Sequence, residues 1–312
     1  KSEKNTFQGA TLPTGAETNW SHLAGIPNWN LLCSVSHDSS KSAALKIFDV
    51  SQKGKEAEVF SIDNVQGLVG NGFIAYNARR NMIGTIPVGG SVAYHLLTVD
   101  PTNREELVKL TRKTDWLPQY PTAEDNTICD LDFNQEGKLV ATIDCNRSIL
   151  ITDVDSTKFL SHHQLGTSRN LMNKCRWMPK VSEARLYVLY DLNLLNVLDI
   201  KKSAPVLKSP ITLDSTTTNC IDVCPSNNNL LAAGGSDSKV RIFDLRVSSM
   251  AKTFDTIHTG ALNSVKWSPN GEQLITASAD NTVKLIEFKS GRVLHTAAAK
   301  EDGHASAACF LQ

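Results

Sequence analysis

Residue types that do acid–base, nucleophilic or metal chemistry occur along this 312-residue chain, but few stand at spacings that assemble a site. His258, Ser278 and Asp280 are the types from which an activated hydroxyl is built, the base beside the nucleophile and the acid orienting the base. No G-x-S-x-G turn or oxyanion cradle accompanies them. There is also no P-loop, no G-x-G-x-x-G opening a helix and no H-E-x-x-H. Gly70-Asn71-Gly72 and Gly89-Gly90 stand in turn-like contexts and read as bends. The pair His162-His163 has no further ligands suggested around it. Cys220 and Cys224 lie four apart with no second pair, which is not a zinc-ribbon spacing. The sequence therefore assigns no catalytic residue, no cofactor, no metal and no small-molecule substrate.

Recognition is better represented. Arg79-Arg80 follows the strand-like FIAYNA, and paired guanidinium groups at a turn can grip a carboxylate or phosphate in bidentate fashion, against the plain reading of a solvated pair. The stretch 100–123 ends in Trp116, Leu117 and Tyr120, interleaved with Pro118 and Pro121. Aromatic side chains on a long loop suit a partner interface; the plainer reading is that they cap the apolar edge of their own sheet.

The elements that would carry these residues repeat. Short apolar runs end at Asp49, Asp100, Asp153, Asp199, Asp244 and Glu287, at intervals of 51, 53, 46, 45 and 43 residues. Each unit holds short β runs joined by polar turns. In 258–299 these are LNSVKW, SPNGEQ, LITASA, ADNT, TVKLIEF, KSGR and VLHTA. Clear repeats cover 20–63, 124–166, 169–212, 213–257 and 258–299, and 64–123 is a divergent one. No window of ten or more residues in such a unit has a helical period. Many strands, such as LLAAGG and LNLLNVLDI, are apolar on both faces, as expected when each small sheet packs between two others. A period of this length with four-stranded meanders predicts an all-β, radially repeated β-propeller forming a single domain over 1–312.

Three features resemble the WD-repeat (WD40) family. Val265-Lys266-Trp267-Ser268-Pro269-Asn270-Gly271 looks like its strand-and-turn opening, Ser278 to Leu285 like its middle turn, and Phe48-Asp49 and Phe243-Asp244 stand where it carries Trp-Asp. The resemblance implies a structural turn network in some blades, to which His258, Ser278 and Asp280 correspond, with Ile286 replacing the Trp and Asp237 at the turn of the preceding unit. It also makes the run from Leu231 to Arg246 similar to the box with a terminal Asp-x-Arg found in WD-repeat receptors of cullin–RING ubiquitin ligases, where the Arg faces the adaptor. Ring closure favours seven blades: His304 to Gln312 reads as the first strand of another blade, and the N-terminal NTFQGATL supplies an outer strand to the same one.

Composition narrows the function. An apolar fraction of 41% rules out a mainly disordered chain. Lys plus Arg and Asp plus Glu both number 32, and this neutrality disfavours general nucleic-acid binding. No apolar run approaches the roughly 20 residues of a membrane-spanning helix, and the N-terminus lacks the apolar core of a signal peptide. Seven cysteines, odd in number and mostly inside apolar runs, predict reduced thiols in the cytoplasm or nucleus. The expected function is a non-catalytic scaffold or adaptor subunit that binds proteins or peptides in an intracellular complex. The alternatives are a ubiquitin-ligase substrate receptor contacting its adaptor through Arg246, and, from another class, a propeller enzyme with acids or histidines converging on a central channel.

Overall fold

The computed structural model describes the chain apart from residues 1–18, 27–28, 38–42, 52–56, 63–73, 86–91, 100–107, 117–127, 166–173, 180–183, 203, 206–209, 214–216, 299–304, 306 and 311–312. The described residues form six antiparallel sheets and no α-helix. The first is β1–β4 (Asn19–Ile26, Leu31–His37, Ala43–Asp49, Ala57–Ile62) and the second β5–β8 (Ile74–Asn77, Met82–Thr85, Val92–Val99, Val108–Trp116). The third is β9–β12 (Ile128–Phe133, Leu139–Asp144, Ser148–Asp153, Phe159–Gln164). The fourth is β13–β15 (Lys174–Trp177, Arg185–Tyr190, Leu194–Asp199), its outer edge shared by the short β16 (Ala204–Pro205) and β17 (Ile211–Thr212). The fifth is β18–β21 (Thr218–Val223, Leu230–Gly235, Val240–Asp244, Ser249–Phe254) and the sixth β22–β25 (Leu262–Trp267, Gln273–Ser278, Thr282–Glu287, Val293–Ala298). Strand order within each sheet follows the chain, and the first strands β1, β5, β9, β13, β18 and β22 touch in succession. This is the all-β propeller: small meanders set radially, each with its first strand innermost.

Burial follows the radial plan. The middle strands β10, β14, β19 and β23 are buried on both faces, while β12, β21 and β25 at the rim are exposed. Apolar clusters sit between sheets, not within one. Tyr187 and Leu189 of the fourth pack with Leu231 and Phe243 of the fifth, and Ile242 and Phe254 of the fifth with Leu262 and Trp267 of the sixth. A sheet pressed on both faces cannot show clean polar alternation, which is why LLAAGG reads as uniformly apolar.

Turns are set by local chemistry. Arg147, Ser238 and Asn281 take positive φ (64°, 67° and 64°) between second and third strands, each following an Asp whose carboxylate accepts backbone N–H groups of its turn: Asp144, Asp237 and Asp280. Gly271, at φ 73°, also lies so close to Ser226 Oγ that a Cβ would stand 2.0 Å from it.

The expected seventh blade is represented, among the described residues, by the segment 305–310 alone. Asn263 Nδ2 donates to Ala305 O at 3.0 Å, the same bond that Asn219 Nδ2 makes to Leu262 O at 2.9 Å between the two preceding inner strands. On its other side Cys309 packs against Leu32, Phe48 and Leu23 of the first sheet, and its sulfur accepts the Gly25 N–H. The segment thus occupies an inner-strand position between the sixth sheet and the first.

Candidate functional site

The inner strands enclose a cavity of about 760 Å³ at the end of the channel where first strands turn into second strands. Its walls are two-sided. Leu23, Ala24 and Gly25 of β1, Ile74 and Tyr76 of β5, and Cys309 form an uncharged half. Asp132, Arg176, Asp222 and Lys266, one each from β9, β13, β18 and β22, form a half of alternating charge.

These charges are first of all joints between blades. Asp132 Oδ2 accepts the Trp177 N–H at 2.8 Å, and Asp222 Oδ2 accepts the Trp267 N–H at 2.8 Å; both pairs are 45 residues apart. Asp130 Oδ2 accepts the Cys175 N–H at 3.1 Å and Arg176 Nη1 at 2.6 Å, and Lys266 Nζ donates to Asp222 Oδ1 at 3.0 Å. Burial alone would raise Asp130, but the Arg176 and Lys174 charges and its hydrogen bonds hold it below the usual carboxylate range. Among the described residues no cation is in hydrogen-bond contact with Asp132, and burial pushes it up to about 6 against the opposing pull of Arg176 and the Trp177 N–H. Arg176 is drawn further above its ordinary value by Asp130 and Asp132 against the cost of burial. The sequence signal for this belt is visible afterwards: an Asp near the end of a first strand, 45 residues before a Trp in the next.

The residues singled out from sequence fall in separate places. Arg79 is exposed on the cavity rim, with no hydrogen bond or ion pair to a described residue. Arg80 does not pair with it to grip an anion. It reaches the third sheet, donating to Gly137 O at 3.0 Å and Asp155 Oδ1 at 2.6 Å, so the expected double-arginine clamp is divided between a free cation and a blade joint. Trp116 ends β8, its backbone opposite Val92, and Leu117 and Tyr120 lie outside the described residues. Arg246 is 63% exposed, and its guanidinium chelates Asp244 two residues before it, at 3.0 and 2.6 Å. Asp237 binds Arg241 and caps its own turn through the Lys239 N–H.

His258 and Asp280 meet as expected, Nδ1 to Oδ2 at 2.9 Å, but the hydroxyl against Nε2 is Thr276 at 2.8 Å, not Ser278. Ser278 instead donates to Gly260 O at 2.9 Å and accepts the Asp280 N–H at 3.1 Å. Nδ1 thus faces the carboxylate and Nε2 the Thr276 hydroxyl, which also donates to Lys284 O at 3.3 Å. An acid, base and hydroxyl are therefore aligned, yet Thr276 is 0% exposed, so no substrate reaches it and the alignment serves the turn. Burial lowers His258 despite Asp280, which keeps the ring neutral at pH 7. His162 likewise meets a buried hydroxyl, Ser148, at 2.5 Å. Among the described residues no three of His, Cys, Asp and Glu are grouped to hold a metal, and no helix is long and apolar enough to cross a membrane. Sequence reasoning also missed the adjacent Phe159 and Leu160, each 53% exposed on rim strand β12.

Comparison with known proteins agrees with the geometry. Residues 221–310 match the family described as the anaphase-promoting complex subunit 4 WD40 domain. The chain is 33% identical over 82 residues to a guanine nucleotide-binding protein subunit beta of Oryza sativa subsp. japonica, covering 26% of this chain and 22% of the relative. It is 31% identical over 91 residues to the retinoblastoma-binding protein homolog 5 of Caenorhabditis elegans, covering 28% and 19%. It is 37% identical over 70 residues to the periodic tryptophan protein 2 homolog of the same organism, covering 22% and 8%. The chain thus spans less than a quarter of the length of these relatives. With the radial four-stranded sheets and the Asp-led turns already in place, these matches show a chain similar to WD40-repeat proteins, the family match covering residues 221–310.

Proposed function

We propose that this chain is a non-catalytic protein-interaction scaffold or adaptor subunit of an intracellular multi-protein complex. The observation that carries the reading is the employment of the channel acids. Asp130, Asp132 and Asp222 each accept a backbone N–H of the next blade, so the groups a propeller enzyme would aim at a substrate are spent on rigidity. A rigid ring loses little entropy on docking, which suits a platform. The names of the matched family and relatives point the same way, since two are subunits and one is a binding protein for another protein. A ring of seven positions, one domain over 1–312, is supported by the seat of segment 305–310 between the sixth and first sheets. A cytoplasmic or nuclear setting is supported by seven cysteines that form no disulfide with one another.

Affinity purification from the native cell with mass spectrometry tests the reading, run beside a variant in which Trp116 and Tyr120 are both alanine. Stable co-purifying proteins are expected, and their loss in the variant assigns them to Trp116 at the end of β8 and to Tyr120 beyond it. A preparation that recovers no protein partner overturns the scaffold. The exposure of Arg246 keeps a second reading open, the ubiquitin-ligase receptor. It requires that Arg246→Ala abolish capture of the ligase adaptor. The chelation of Arg246 by Asp244 weighs against it, because the guanidinium must first be released.

A further inference from the structure

We propose that the cavity at the first-turn end of the channel is a binding subsite for an oxyanion carried on an apolar peptide segment, an acidic side chain flanked by aliphatic residues. The inference deepens the scaffold reading and rests on it.

The formal charges of Asp132, Arg176, Asp222 and Lys266 cancel, so net charge decides nothing. Hydrogen-bond capacity does not cancel. Both oxygens of Asp222 are occupied, one by Lys266 and one by the Trp267 N–H. Asp130, behind the wall, is occupied by Arg176 and the Cys175 N–H. Of the two oxygens of Asp132, Oδ2 is taken by the Trp177 N–H. On the cation side, Arg176 commits only Nη1, to Asp130 and Cys175 O, leaving Nε and Nη2 without a described partner. Among the described residues the Lys266 ammonium makes one bond and the Arg79 guanidinium on the rim makes none. The lumen therefore offers several charged donors and one remaining carboxylate oxygen. The group that satisfies such a surface is an acceptor-only oxyanion, and an arginine fork beside a lysine is the arrangement that binds one strongly. A free inorganic ion would use only part of the space, because the opposite wall is Leu23, Ile74 and Tyr76 and the volume is about 760 Å³. A carboxylate on an aliphatic body meets both halves at once.

The test is calorimetric titration of the full chain with three capped tripeptides, Leu-Glu-Leu, Leu-Gln-Leu and Leu-phosphoserine-Leu, and with inorganic phosphate. The Glu peptide is expected to bind at least about tenfold more tightly than the Gln peptide, a difference that falls with added salt. Lys266→Gln and Arg79→Ala should each weaken the Glu peptide several-fold while leaving the Gln peptide unchanged. Arg176→Gln alone would strand Asp130, so the paired variant D130N/R176Q is used, and it should bring the Glu peptide down to the Gln level. Tighter binding of the phosphoserine peptide than of the Glu peptide supports the same site and names phosphorylated segments as its source. Equal affinity for Glu and Gln peptides, no binding by any peptide at millimolar concentration, or indifference to Lys266→Gln and Arg79→Ala overturns the proposal. If protein partners still co-purify equally with wild type and D130N/R176Q, the subsite fails while the scaffold stands.

Discussion

Asp132 and Asp222 do the same work with different neighbours, and the difference predicts how stability follows pH. Each accepts a Trp backbone N–H from the next blade, but Asp222 also receives Lys266, whereas the cation placed to serve Asp132, Arg176, turns to Asp130. Asp132 is left with a desolvated charge and a carboxyl raised to about 6. An acid raised on folding binds its proton more tightly in the native state than in the unfolded chain. Its contribution is therefore present below the ordinary carboxylate range, near pH 4, and lost as pH rises to about 6. Asp132→Asn keeps an acceptor for Trp177 and removes the charge, so the variant should lack this loss. We expect it to exceed wild type in stability at pH 7.5 by on the order of 1–3 kcal/mol, with the gap closing by pH 4. Urea midpoints across that range decide it, and parallel curves would place Asp132 at an ordinary value. Asp280 has the opposite sign. Burial opposes its charge, but bonds from Thr282, Thr259 and His258 hold it far below the usual range. Its stabilisation is present above the ordinary carboxylate range and lost as pH falls through its lowered value. Asp280→Asn should cost about 1–3 kcal/mol at pH 7, read as a lower urea midpoint. An unchanged midpoint would mean that the His258 turn contributes nothing.

At the scale of the element, what could be read in the sequence was what repeats in residue type. The Asp-led turns and Phe-Asp endings recur as letters, so the units of the last two sheets stand out. The shape of a sheet does not recur as letters. A β-bulge interrupts the third-to-fourth strand pairing at Ile47/Phe48, Tyr94/His95, Ile151/Thr152, Ile242/Phe243 and Leu285/Ile286, five times in different residues. Bulges sharpen the twist of the outer strand, but they follow from packing and leave no sequence mark. The channel belt escaped for a related reason. Its members pair across blades, so Asp130 and Arg176 are 46 residues apart, and neither looks unusual where it stands. Turn geometry was more legible, and Gly271 tests how much depends on it. Its φ of 73° and the 2.0 Å approach of Ser226 Oγ to a notional Cβ are separate obstacles to any side chain. Gly271→Ala should destabilise by about 1–3 kcal/mol. Adding Ser226→Ala should recover the part due to Ser226 and leave the part due to backbone strain and to Cys224 Sγ, 2.8 Å from the same notional Cβ. Full recovery would mean that φ costs nothing here, and none that the contact relaxes freely.

For the whole molecule the question is where a ring of separate sheets gives way. Adjacent blades are tied at several radii. Between the second and third sheets run Asn77 to Asn134 O and Arg80 to Asp155; between the third and fourth, Arg176 to Asp130 and Arg147 to Asp191; between the fourth and fifth, Tyr187 to Asn228 O. Lys252, lying over the Phe254 ring at 4.9 Å, reaches the carbonyls of Phe288 and Lys289 between the fifth and sixth. The passage from the sixth sheet to the first runs, among the described residues, through the narrow segment 305–310 with Asn263, Ser264 and Gly25 as its polar contacts. Opening should begin at this narrow segment, because local unfolding follows local free energy. Ala308, 8% exposed and packed with Ile275, Ala277 and Leu285, is the position at which to test this. Ala308→Asp buries an unpaired carboxylate there and should cost more than about 3 kcal/mol. Hydrogen exchange should accelerate first in β1 and β22, on the two sides of the seam, while β14 and β15 opposite keep their protection. Acceleration spread evenly over all six sheets would mean that the ring opens as one cooperative unit and has no seam.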